Sequence, residues 1–494
     1  MTNASQPTTS VVVVGAGPTG LALSCALQAA GIAVRIVDAA ASPATTSRAL
    51  AVQPRGVEVL ERLGVVADLA NAAVPVRRVE IFVDGRKLAG LRVPQALRPE
   101  DPGVLLVSQA EVENRLRQRL AALGASVEWN RTVTDIDCEN NCATVYFDDG
   151  LTVRADWVVG ADGAHSAVRQ AAGIGFPGAP LAERFLLADV HADLDRPRDT
   201  TVAWLRGAEM LALFPLPGDD LWRLMAPAPQ DYPVDGGADD LMSYLQTRLA
   251  SEVGGTVRSA QWTSSFRIQR RLATTYRRGR VLLAGDAAHI HSPLGGQGMN
   301  TGLGDAENLA WKLALVCSGR ADAGLLDTYG AERRPIARQV LRATSGVTVG
   351  ALGNGGAAQV LRDRIVVPLL NTNALQRIIL EQASQLRVSY RRGPLGSRRW
   401  RRPRPGDRIP NRVYIDDEGQ PLRLSDAVAP QWALVGDLAL AEIARQRLGA
   451  VVALRGQSAE SLLVRPDSHV AWRGADPRSL RNWLDMALGP RASR

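Results

Sequence analysis

The most constraining feature of the sequence is an uncharged run of more than twenty residues, Val11 to Val34, in which glycines recur at short intervals. Its length would suit a membrane-spanning helix, which needs about 20 apolar residues. The spacing argues otherwise, because the β-branched run Val11–Val14 stops at Gly15, a helical pattern continues to Gly31, and a second strand-like run covers Ala33–Val37. The pattern therefore predicts strand, turn, helix and strand, and no integral membrane segment.

The turn after the first strand has G-x-G-x-x-G spacing and reads Gly15-Ala16-Gly17-Pro18-Thr19-Gly20. Glycines at these positions permit a tight turn and let backbone N–H groups approach a diphosphate at the positive end of the following helix. Asp38 ends the second strand about 20 residues further on, where a carboxylate accepts hydrogen bonds from an adenosine ribose. A purely structural turn is the alternative, but strand, helix and acid in this order favour a dinucleotide site.

Two later glycine-containing segments also follow strand-like runs. One covers Gly160–Arg169 after the apolar run Trp157–Val159, and the other covers Gly285–Gly302 after Val281–Ala284. Apolar residues at helical spacing follow the second segment, so its glycine-rich loop is expected to open onto a helix N-terminus. A helix N-terminus stabilises negative charge, such as that of a reduced flavin.

Composition argues against a disordered chain, a collagen-like chain and a disulfide-stabilised scaffold. Hydrophobic residues make up 46% and charged residues 22%, as in ordinary globular chains. The 4 cysteines show no C-x-x-C spacing, which argues against zinc and disulfide frameworks and favours a reducing cytoplasm. Part of the net charge of +8 comes from Arg387 to Arg408, with nine arginines and one acid, Asp407, which we interpret as a solvated basic linker and not as a nucleic-acid site. His289 and His291 have no third ligand nearby, so no metal site is predicted.

Three segments, Gly15–Gly20, Asp162–Arg169 and Gly285–Asp286, together resemble the signatures of the class A flavoprotein monooxygenases, the single-component FAD-dependent aromatic hydroxylases. Pro405–Arg408 and Leu463–Asp467 resemble the larger members, the phenol and polyketide hydroxylases. The resemblance implies an α/β fold with a Rossmann-like FAD-binding domain, an inserted α+β substrate domain on a mixed sheet, and a C-terminal thioredoxin-like domain. That last domain is expected to lack redox cysteines, because all four cysteines precede residue 318.

Domain boundaries follow from the same resemblance. The FAD-binding domain would comprise residues 1–75, 105–175 and 276–345, the substrate-binding domain 76–104 and 176–275, a helical linker 346–394, and the thioredoxin-like domain 395–494. Alternating runs at Arg78–Val83 and Met210–Pro215 predict strands in the substrate-binding domain.

The resemblance also assigns roles to matched residues. Asp38 would contact the adenosine ribose, and Asp286 would hold the ribityl or diphosphate portion of FAD. Arg48 would lie near the FAD diphosphate or the flavin, and the segment from Pro293 to Asn300 would border the flavin ring. The predicted catalytic residues are Arg48, Pro293 and Gly298. The predicted cofactor-binding residues are Gly15, Gly17, Pro18, Thr19, Gly20, Asp38, Arg48, Gln109, Asp162, Gly285, Asp286, Pro293, Gly296, Gly298, Met299 and Asn300. Two alternatives stay open: Arg48 as a solvated loop residue, and His289 as a packing histidine or a base.

Position in the substrate segment alone identifies six candidate pocket residues. They are Phe185, Trp204, Phe214, Trp222, Arg223 and Met225. Residues of these types belong to the core more often than not, and this alternative stays open. The small, apolar character of the segment favours a large, flat, polycyclic substrate, whereas a benzoate would need a fixed arginine, for which Arg206 or Arg223 could serve.

The reaction implied by the resemblance uses FAD, NADPH or NADH as a transient co-substrate, and O2. A flavin C4a-hydroperoxide would hydroxylate an aromatic ring, in a polycyclic polyketide or another phenol. The expected partner is this small molecule, with no nucleic acid, and the chain is expected to be a monomer or homodimer in the cytoplasm. Three alternatives remain open: an FAD-binding protein of the same fold that only stabilises a biosynthetic intermediate, a hydroxylase of small phenols or benzoates, and a colourless NAD-linked dehydrogenase.

Overall fold

The computed structural model describes most of the chain, with short gaps. The described residues are 8–46, 49–93, 96, 100–139, 142–207, 209–229, 232–233, 236–291, 296–352, 360, 364, 367–397, 402–456 and 458–489. Two residues predicted for the site, Arg48 and Pro293, lie outside this set.

The first of three large sheets is built on the strand that precedes the glycine turn. β1 (Thr8–Val14) lies between β2 (Val34–Val37) and β10 (Thr152–Gly160), and all three strands are parallel. The other strands are β7 (Val127–Glu128), β8 (Val133–Glu139), β9 (Cys142–Phe147), β16 (Arg277–Arg278) and β17 (Val281–Leu283). Their order is β16-β17-β10-β1-β2-β7, with β9 attached to β10 and β8 attached to β9.

Helices cover the first sheet, which explains why its central strands are apolar on both faces. α1 (Pro18–Ala29) packs against α4 (Gln109–Ala122) and α7 (Gly298–Cys317). The shorter helices of this region are α2 (Pro54–Arg62), α3 (Val66–Ala72) and α5 (Ala167–Ala171). The uncharged run therefore forms β1, α1 and the start of β2, as its glycine spacing predicts.

The second sheet has eight strands and lies beside the first. Its strands are β4 (Arg78–Val83), β5 (Arg86–Arg92), β11 (Gly178–Asp193), β12 (Thr200–Arg206), β13 (Glu209–Pro215), β14 (Leu221–Pro227), β15 (Thr256–Leu272) and β18 (His289–Ile290). The order is β18-β15-β11-β14-β13-β12-β4-β5, with β12 and β4 parallel and the other pairs antiparallel. Because β18 directly follows the Gly285 loop, this edge of the sheet is fixed next to the first sheet.

The two faces of the second sheet have different neighbours. α6 (Ala238–Glu252) covers one face and buries Leu241, Leu245 and Leu249 against it. The opposite face, which we call the pocket face, buries Phe185, Leu187, Met210, Ala212 and Met225. Alternation along each strand therefore decides which of its residues line a pocket.

The C-terminal sheet has the connectivity expected of a thioredoxin-like domain. Its strands are β19 (Val413–Asp416), β20 (Pro421–Arg423), β21 (Trp432–Gly436), β22 (Val451–Arg455), β23 (Ser461–Val464) and β24 (Val470–Gly474), and its helices are α11 (Leu424–Ala427), α12 (Leu438–Leu448) and α13 (Pro477–Leu488). β21 and β22 are parallel and joined by α12, whereas β23 and β24 are antiparallel and lead into α13. Trp311 and Leu315 of α7 lie in the core of this unit, so it shares apolar packing with the first sheet's helices.

Helices and a short ribbon connect these units. α8 (Asp327–Leu352), α9 (Val367–Leu369) and α10 (Asn373–Ala383) follow α7, and 3-10 turns cover Gly285–Ala287 and Ala323–Leu326. β3 (Ala51–Val52) pairs with β6 (Leu105–Leu106). In the described part of the chain, no helix combines the length and apolarity needed to cross a membrane.

The basic segment Arg387–Arg408 is only partly the solvated linker expected from sequence. Arg408 is buried and pairs with Glu58 of α2 and with Asp101. The prediction was wrong for this residue, because acids more than 300 positions away in the chain neutralise it.

Candidate functional site

Three glycines shape the turn after β1. Gly15 has a φ of +103°, which other residues rarely adopt, and a Cβ there would lie 2.3 Å from the backbone oxygen of Ala161. A Cβ on Gly20 would lie 1.9 Å from the oxygen of Gly15, so α1 approaches the turn too closely for a side chain. A Cβ on Gly17, by contrast, would have no atom within 4 Å. The N-terminus of α1 is therefore open at Gly17, as a bound diphosphate requires.

Asp38 is held directly beside this turn. Its carboxylate accepts hydrogen bonds from the backbone N–H groups of Ala16 (2.7 Å) and Ala40 (2.8 Å). Gln109, at the start of α4, donates to Glu113 (2.8 Å). Burial raises the pKa of Glu113, Gln109 lowers it, and the charge of Asp38 adds to the rise. Gln109 therefore lies in the same region as Asp38. The contact of Gln109 with the flavin stays a prediction.

Asp162 follows β10 on the other side of the turn. One carboxylate oxygen accepts from the N–H of Val168 (3.1 Å), while the other is buried with no hydrogen-bond partner in the structure. Burial raises the pKa of Asp162, and hydrogen bonds from Ser166 and Val168 oppose the rise. A buried acceptor without a donor costs about 1–3 kcal/mol, so a ligand hydroxyl or water at this position would be stabilising.

Thr19 joins the turn to the loop that follows β17. A Cβ on Gly285, which has a φ of +61°, would lie 2.6 Å from the Thr19 hydroxyl, and a Cβ on Gly302 would lie 2.2 Å from it. Asp286, which directly follows Gly285, has an exposed side chain. It follows β17 at the carboxyl end of the sheet, where partial removal from water raises its pKa; His289 opposes this rise and Asp305 adds to it.

A buried network that the sequence analysis missed holds this loop. Asp305 of α7 is fully buried and accepts hydrogen bonds from the Gly285 N–H (3.1 Å) and from Arg333 (2.7 Å), and one of its oxygens lies 2.7 Å from Nε2 of His289. Burial alone would raise the pKa of Asp305, but His289 and Arg333 lower it. Arg333 also donates to the carbonyl of Thr301 (2.9 Å) in the first turn of α7. His289 is therefore a packing and hydrogen-bonding residue in this structure.

One signal in the sequence could have identified this network. Asp305 interrupts the apolar pattern formed by Leu303, Ala306 and Leu309 on α7. This interruption indicates a charged side chain on a buried helix face.

The N-terminus of α7 is fixed by side-chain amides. Asn300 accepts from the Gln53 N–H (2.8 Å) and donates to the carbonyls of Ala51 (3.0 Å) and Gly296 (2.7 Å). Gln297, which precedes Gly298, donates to the carbonyl of Ala383 (3.0 Å). The side chain of Asn300 thus positions the loop.

The predicted ring-side residues of α7 lie together at this end of the helix. Gly296 has a φ of +61°, Gly298 begins the helix, and Met299 is buried. The amide end of a 20-residue helix therefore borders the loop, which suits negative charge.

Four of the six predicted substrate residues lie on the pocket face. Phe185 and Met225 are buried there, and Phe214 also contacts the cluster formed by Leu50 and Leu106 beside the β3–β6 ribbon. This ribbon is the segment that Asn300 fixes, so Phe214 links the pocket face to the loop at the start of α7.

Trp204 and Trp222 lie on the opposite face of the sheet. Both are 1% exposed and pack in the core against α6, where Trp204 stacks on Phe82 and Arg198 covers Trp222. Their prediction as substrate contacts is therefore corrected: the register of β12 and β14 turns these two side chains away from the pocket.

A buried ion pair interrupts the apolar pocket face. Arg223 forms two hydrogen bonds with Asp189 of the adjacent strand, at 2.7 and 2.8 Å, and its guanidinium lies 5.4 Å from the ring centre of Trp262. A bidentate pair of this kind fixes the guanidinium. The pocket face therefore presents a polar group at a defined position among apolar side chains.

The geometry fits FAD. The open N-terminus of α1, the carboxylate of Asp38, the unpaired oxygen of Asp162 and the exposed Asp286 all lie at the carboxyl ends of β1, β2, β10 and β17, where open parallel sheets bind dinucleotides. In the described residues, no group of three or more histidine, cysteine or acidic side chains is arranged to hold a metal ion.

Comparisons with known proteins agree with this geometry. Residues 8–344 match the family described as the FAD binding domain. The chain is 33% identical over 488 residues to a rifampicin monooxygenase of Streptomyces venezuelae, covering 97% of this chain and 98% of that protein. It is 39% identical over 348 residues to a 6-methylpretetramide 4-monooxygenase of Streptomyces rimosus, covering 68% of this chain and 61% of that one.

A solved structure extends the comparison to the whole fold. The OxyS anhydrotetracycline hydroxylase of Streptomyces rimosus matches with a TM-score of 0.81 at 32% identity, over 98% of this chain and 100% of that one. The match includes the C-terminal sheet, which lies beyond the family match that ends at residue 344. This chain therefore belongs to the FAD-binding family of flavoprotein monooxygenases, and it is a flavoprotein hydroxylase.

Proposed function

We propose that this enzyme uses NADPH or NADH and O2 to hydroxylate a polycyclic aromatic substrate, a polyketide or a related phenol. The observation that carries the proposal is the pocket face: an apolar surface of the sheet on which Phe185, Leu187 and Met225 are buried and Phe214 is partly buried, beside the ribbon that Asn300 fixes. Such a surface suits several fused rings better than a single small ring.

The names of the relatives support the same substrate class. The related proteins are named for 6-methylpretetramide, rifampicin and anhydrotetracycline. Because the chain spans 61% of the first of these, the transfer of its activity belongs to the proposal.

The residues of this chain have separate tasks in the proposed reaction. When bound, FAD supplies the redox chemistry, accepting hydride and using O2 to deliver an oxygen atom. The turn at Gly15–Gly20 and the N-terminus of α1 would bind the diphosphate, Asp38 would accept hydrogen bonds from ribose hydroxyl groups, and Asp286 would hold the ribityl chain. The N-terminus of α7 would stabilise negative charge on the cofactor.

The pocket face orients the substrate and excludes water. Apolar side chains on both sides of Arg223 remove water from the reacting ring, which protects a reactive oxygen donor from side reactions. The buried Arg223–Asp189 pair gives one fixed charged anchor for a phenolic oxygen. A phenolate is more electron-rich than a phenol, so a cationic group near this oxygen would favour ring hydroxylation.

The setting proposed for this reaction is the cytoplasm, with the enzyme acting as a monomer or homodimer. All four cysteines are free in the structure, which fits a reducing compartment.

An absorption spectrum of the purified protein followed by a turnover assay tests the proposal. We expect a flavin spectrum, dinucleotide oxidation that polycyclic phenols stimulate, and a product heavier by one oxygen atom. Stimulation by small phenols or benzoates alone would reject the polycyclic substrate. Flavin without hydroxylation of any substrate would instead favour a protein that only stabilises an intermediate.

A further inference from the structure

We propose that a cleft between β5, α10 and the segment after it binds the phosphate groups of NADPH or NADH while the dinucleotide delivers hydride. We call it the arginine cleft and define it by Arg92, Asn373, Gln376, Arg377, Glu381 and Arg387. The inference rests on the proposed function, because it concerns the co-substrate of that reaction.

The arginine cleft is large enough for part of a dinucleotide. Its volume is about 460 Å³, within the range of roughly 300–1,000 Å³ typical of small-molecule sites. Its walls come from three places in the chain: the end of β5, the length of α10, and residues 384–387.

Positive charge in the cleft exceeds negative charge. Arg377 and Arg387, whose side chains are 73% and 70% exposed, both pair with the single carboxylate of Glu381. Arg92 is exposed and forms no salt bridge within the described residues. Two of these three accessible guanidinium groups thus share one acid, and the third has no acidic partner among the described residues. Deeper in the cleft, Arg408 is already paired with Glu58 and Asp101 and adds little to this excess.

The start of α10 provides further donors. This 11-residue helix begins at Asn373 and no side chain caps its N-terminus. Both Asn373 and Gln376, in its first turn, line the cleft. Free amides at a helix N-terminus bind phosphate, and guanidinium groups bind it through paired N–H donors. Arginine side chains and the first turn of α10 therefore border one cavity.

The far wall of the cleft is also a wall of the flavin site. Ser384 lines the cleft, and its carbonyl accepts from the N–H of Arg55 at the start of α2. The next residue, Gln385, donates to Gln297 (2.5 Å) and to Thr301 (3.2 Å) at the start of α7. This short segment therefore connects the cleft to the start of α7, and we expect the nicotinamide of a dinucleotide bound in the cleft to reach the loop assigned to the flavin ring.

The sequence also indicates a phosphate site separate from the Gly15–Gly20 turn. Its single strand-associated G-x-G-x-x-G turn, Gly15–Gly20, is assigned to FAD, and no second one follows a strand. A transient co-substrate must then be held by side chains and helix ends, and exposed arginines with few acidic partners suit weak, reversible binding.

Rapid mixing of the FAD-loaded enzyme with NADPH or NADH tests the inference. The rate of flavin bleaching at rising dinucleotide concentration gives a Kd and a maximal rate, without any aromatic product. We expect the double variant Arg92→Gln/Arg387→Gln to raise the Kd about tenfold, equivalent to loss of about 1.4 kcal/mol of phosphate binding, with the maximal rate within about twofold of wild type. The matched control is Arg481→Gln, which removes an exposed arginine on α13, remote from the cleft.

The possible outcomes distinguish failure of the arginine cleft from failure of the proposed hydroxylase function. An unchanged Kd in the double variant, or a rise only in the Kd of the aromatic substrate, would overturn the arginine cleft alone. Failure of both dinucleotides to reduce the wild-type flavin would reject the proposed function and this inference with it. If the double variant does not fold with full FAD content, the single variant Arg92→Gln, which breaks no ion pair in the described structure, takes its place with an expected rise of about threefold.

Discussion

Asp305 is the side chain on which the cofactor loop depends most. It is fully buried, and it connects the loop at Gly285 to His289 and to Arg333 of α8. A buried carboxylate with three such partners leaves unpaired charge behind when it is removed. The residue therefore acts on the loop through these buried hydrogen bonds.

Asp305→Asn should lower the free energy of unfolding by about 3–5 kcal/mol, because Arg333 keeps its buried charge without a counter-ion. The variant should also purify with less FAD than wild type, since the Gly285 loop loses its anchor. Denaturant unfolding and flavin absorbance measure the two effects. Asp327→Asn is the control, because Asp327 is 70% exposed and pairs with Arg277 at the surface. Equal FAD content and stability in both variants would contradict the role of Asp305.

Asp286→Ala should strip FAD while leaving the fold intact. The side chain is exposed and makes no structural hydrogen bond that the described residues reveal, so its removal costs binding and not packing. Absorbance of the purified protein at flavin wavelengths, with circular dichroism as the folding check, measures this. Full flavin occupancy in Asp286→Ala would show that the ribityl assignment is incorrect.

At the scale of elements, the close approach of α1 to α7 holds the site together. Thr19 of α1 occupies the space that side chains at Gly285 and Gly302 would need. The two helices thus fix the Gly15–Gly20 turn and the Gly285 loop relative to each other.

Gly302→Ala should destabilise the protein by about 1–3 kcal/mol, because the new methyl group would lie 2.2 Å from the Thr19 hydroxyl. Adding Thr19→Ala removes that oxygen and should restore most of the loss, since the Cβ of Thr19 is 3.5 Å away, at ordinary contact distance. Thermal unfolding of the two single variants and the double variant gives the coupling energy. Strictly additive effects would mean that this contact does not determine the packing.

Local and non-local features differ in how far the sequence predicts them. The elements β1, α1 and β2 follow from glycine spacing and apolar periodicity, because each is determined by residues near in sequence. The faces of β12 and β14 depend on pairing with other strands, so Trp204 and Met225 could not be told apart as core and pocket residues. The contact of Asp305 with Arg333 likewise exists only once α7 and α8 have packed.

At the scale of the whole molecule, buried charges connect the C-terminal unit to the FAD-binding unit. Arg465, beyond β23, pairs with Glu332 of α8 and with Asp467, and Lys312 of α7 pairs with the same Glu332. Arg55 of α2 donates to the carbonyl of Asp467 (2.9 Å). The C-terminal unit thus supports helices of the FAD-binding unit.

Acid should weaken this connection. Burial alone would raise the pKa of Glu332, but Arg465 and Lys312 lower it to about 2 from 4.5; Arg408 and Arg55 have the same effect on buried Glu58. A carboxylate with a lowered pKa contributes stability above its unfolded pKa and loses it as the pH falls. Stability should therefore be fully present above about pH 4.5 and fall steeply between pH 4.5 and 2. Denaturant midpoints that stay constant through this interval would contradict the network's role.

Incorporation of oxygen from 18O2 tests most directly whether this enzyme hydroxylates a polycyclic aromatic substrate. The FAD-loaded enzyme is incubated with NADPH or NADH, 18O2 and a polycyclic phenol, and the product is analysed by mass spectrometry. We predict a product with one labelled oxygen atom on the aromatic ring and one dinucleotide oxidised for each product formed. A product without label, or dinucleotide oxidation that yields only hydrogen peroxide with every substrate, would contradict it.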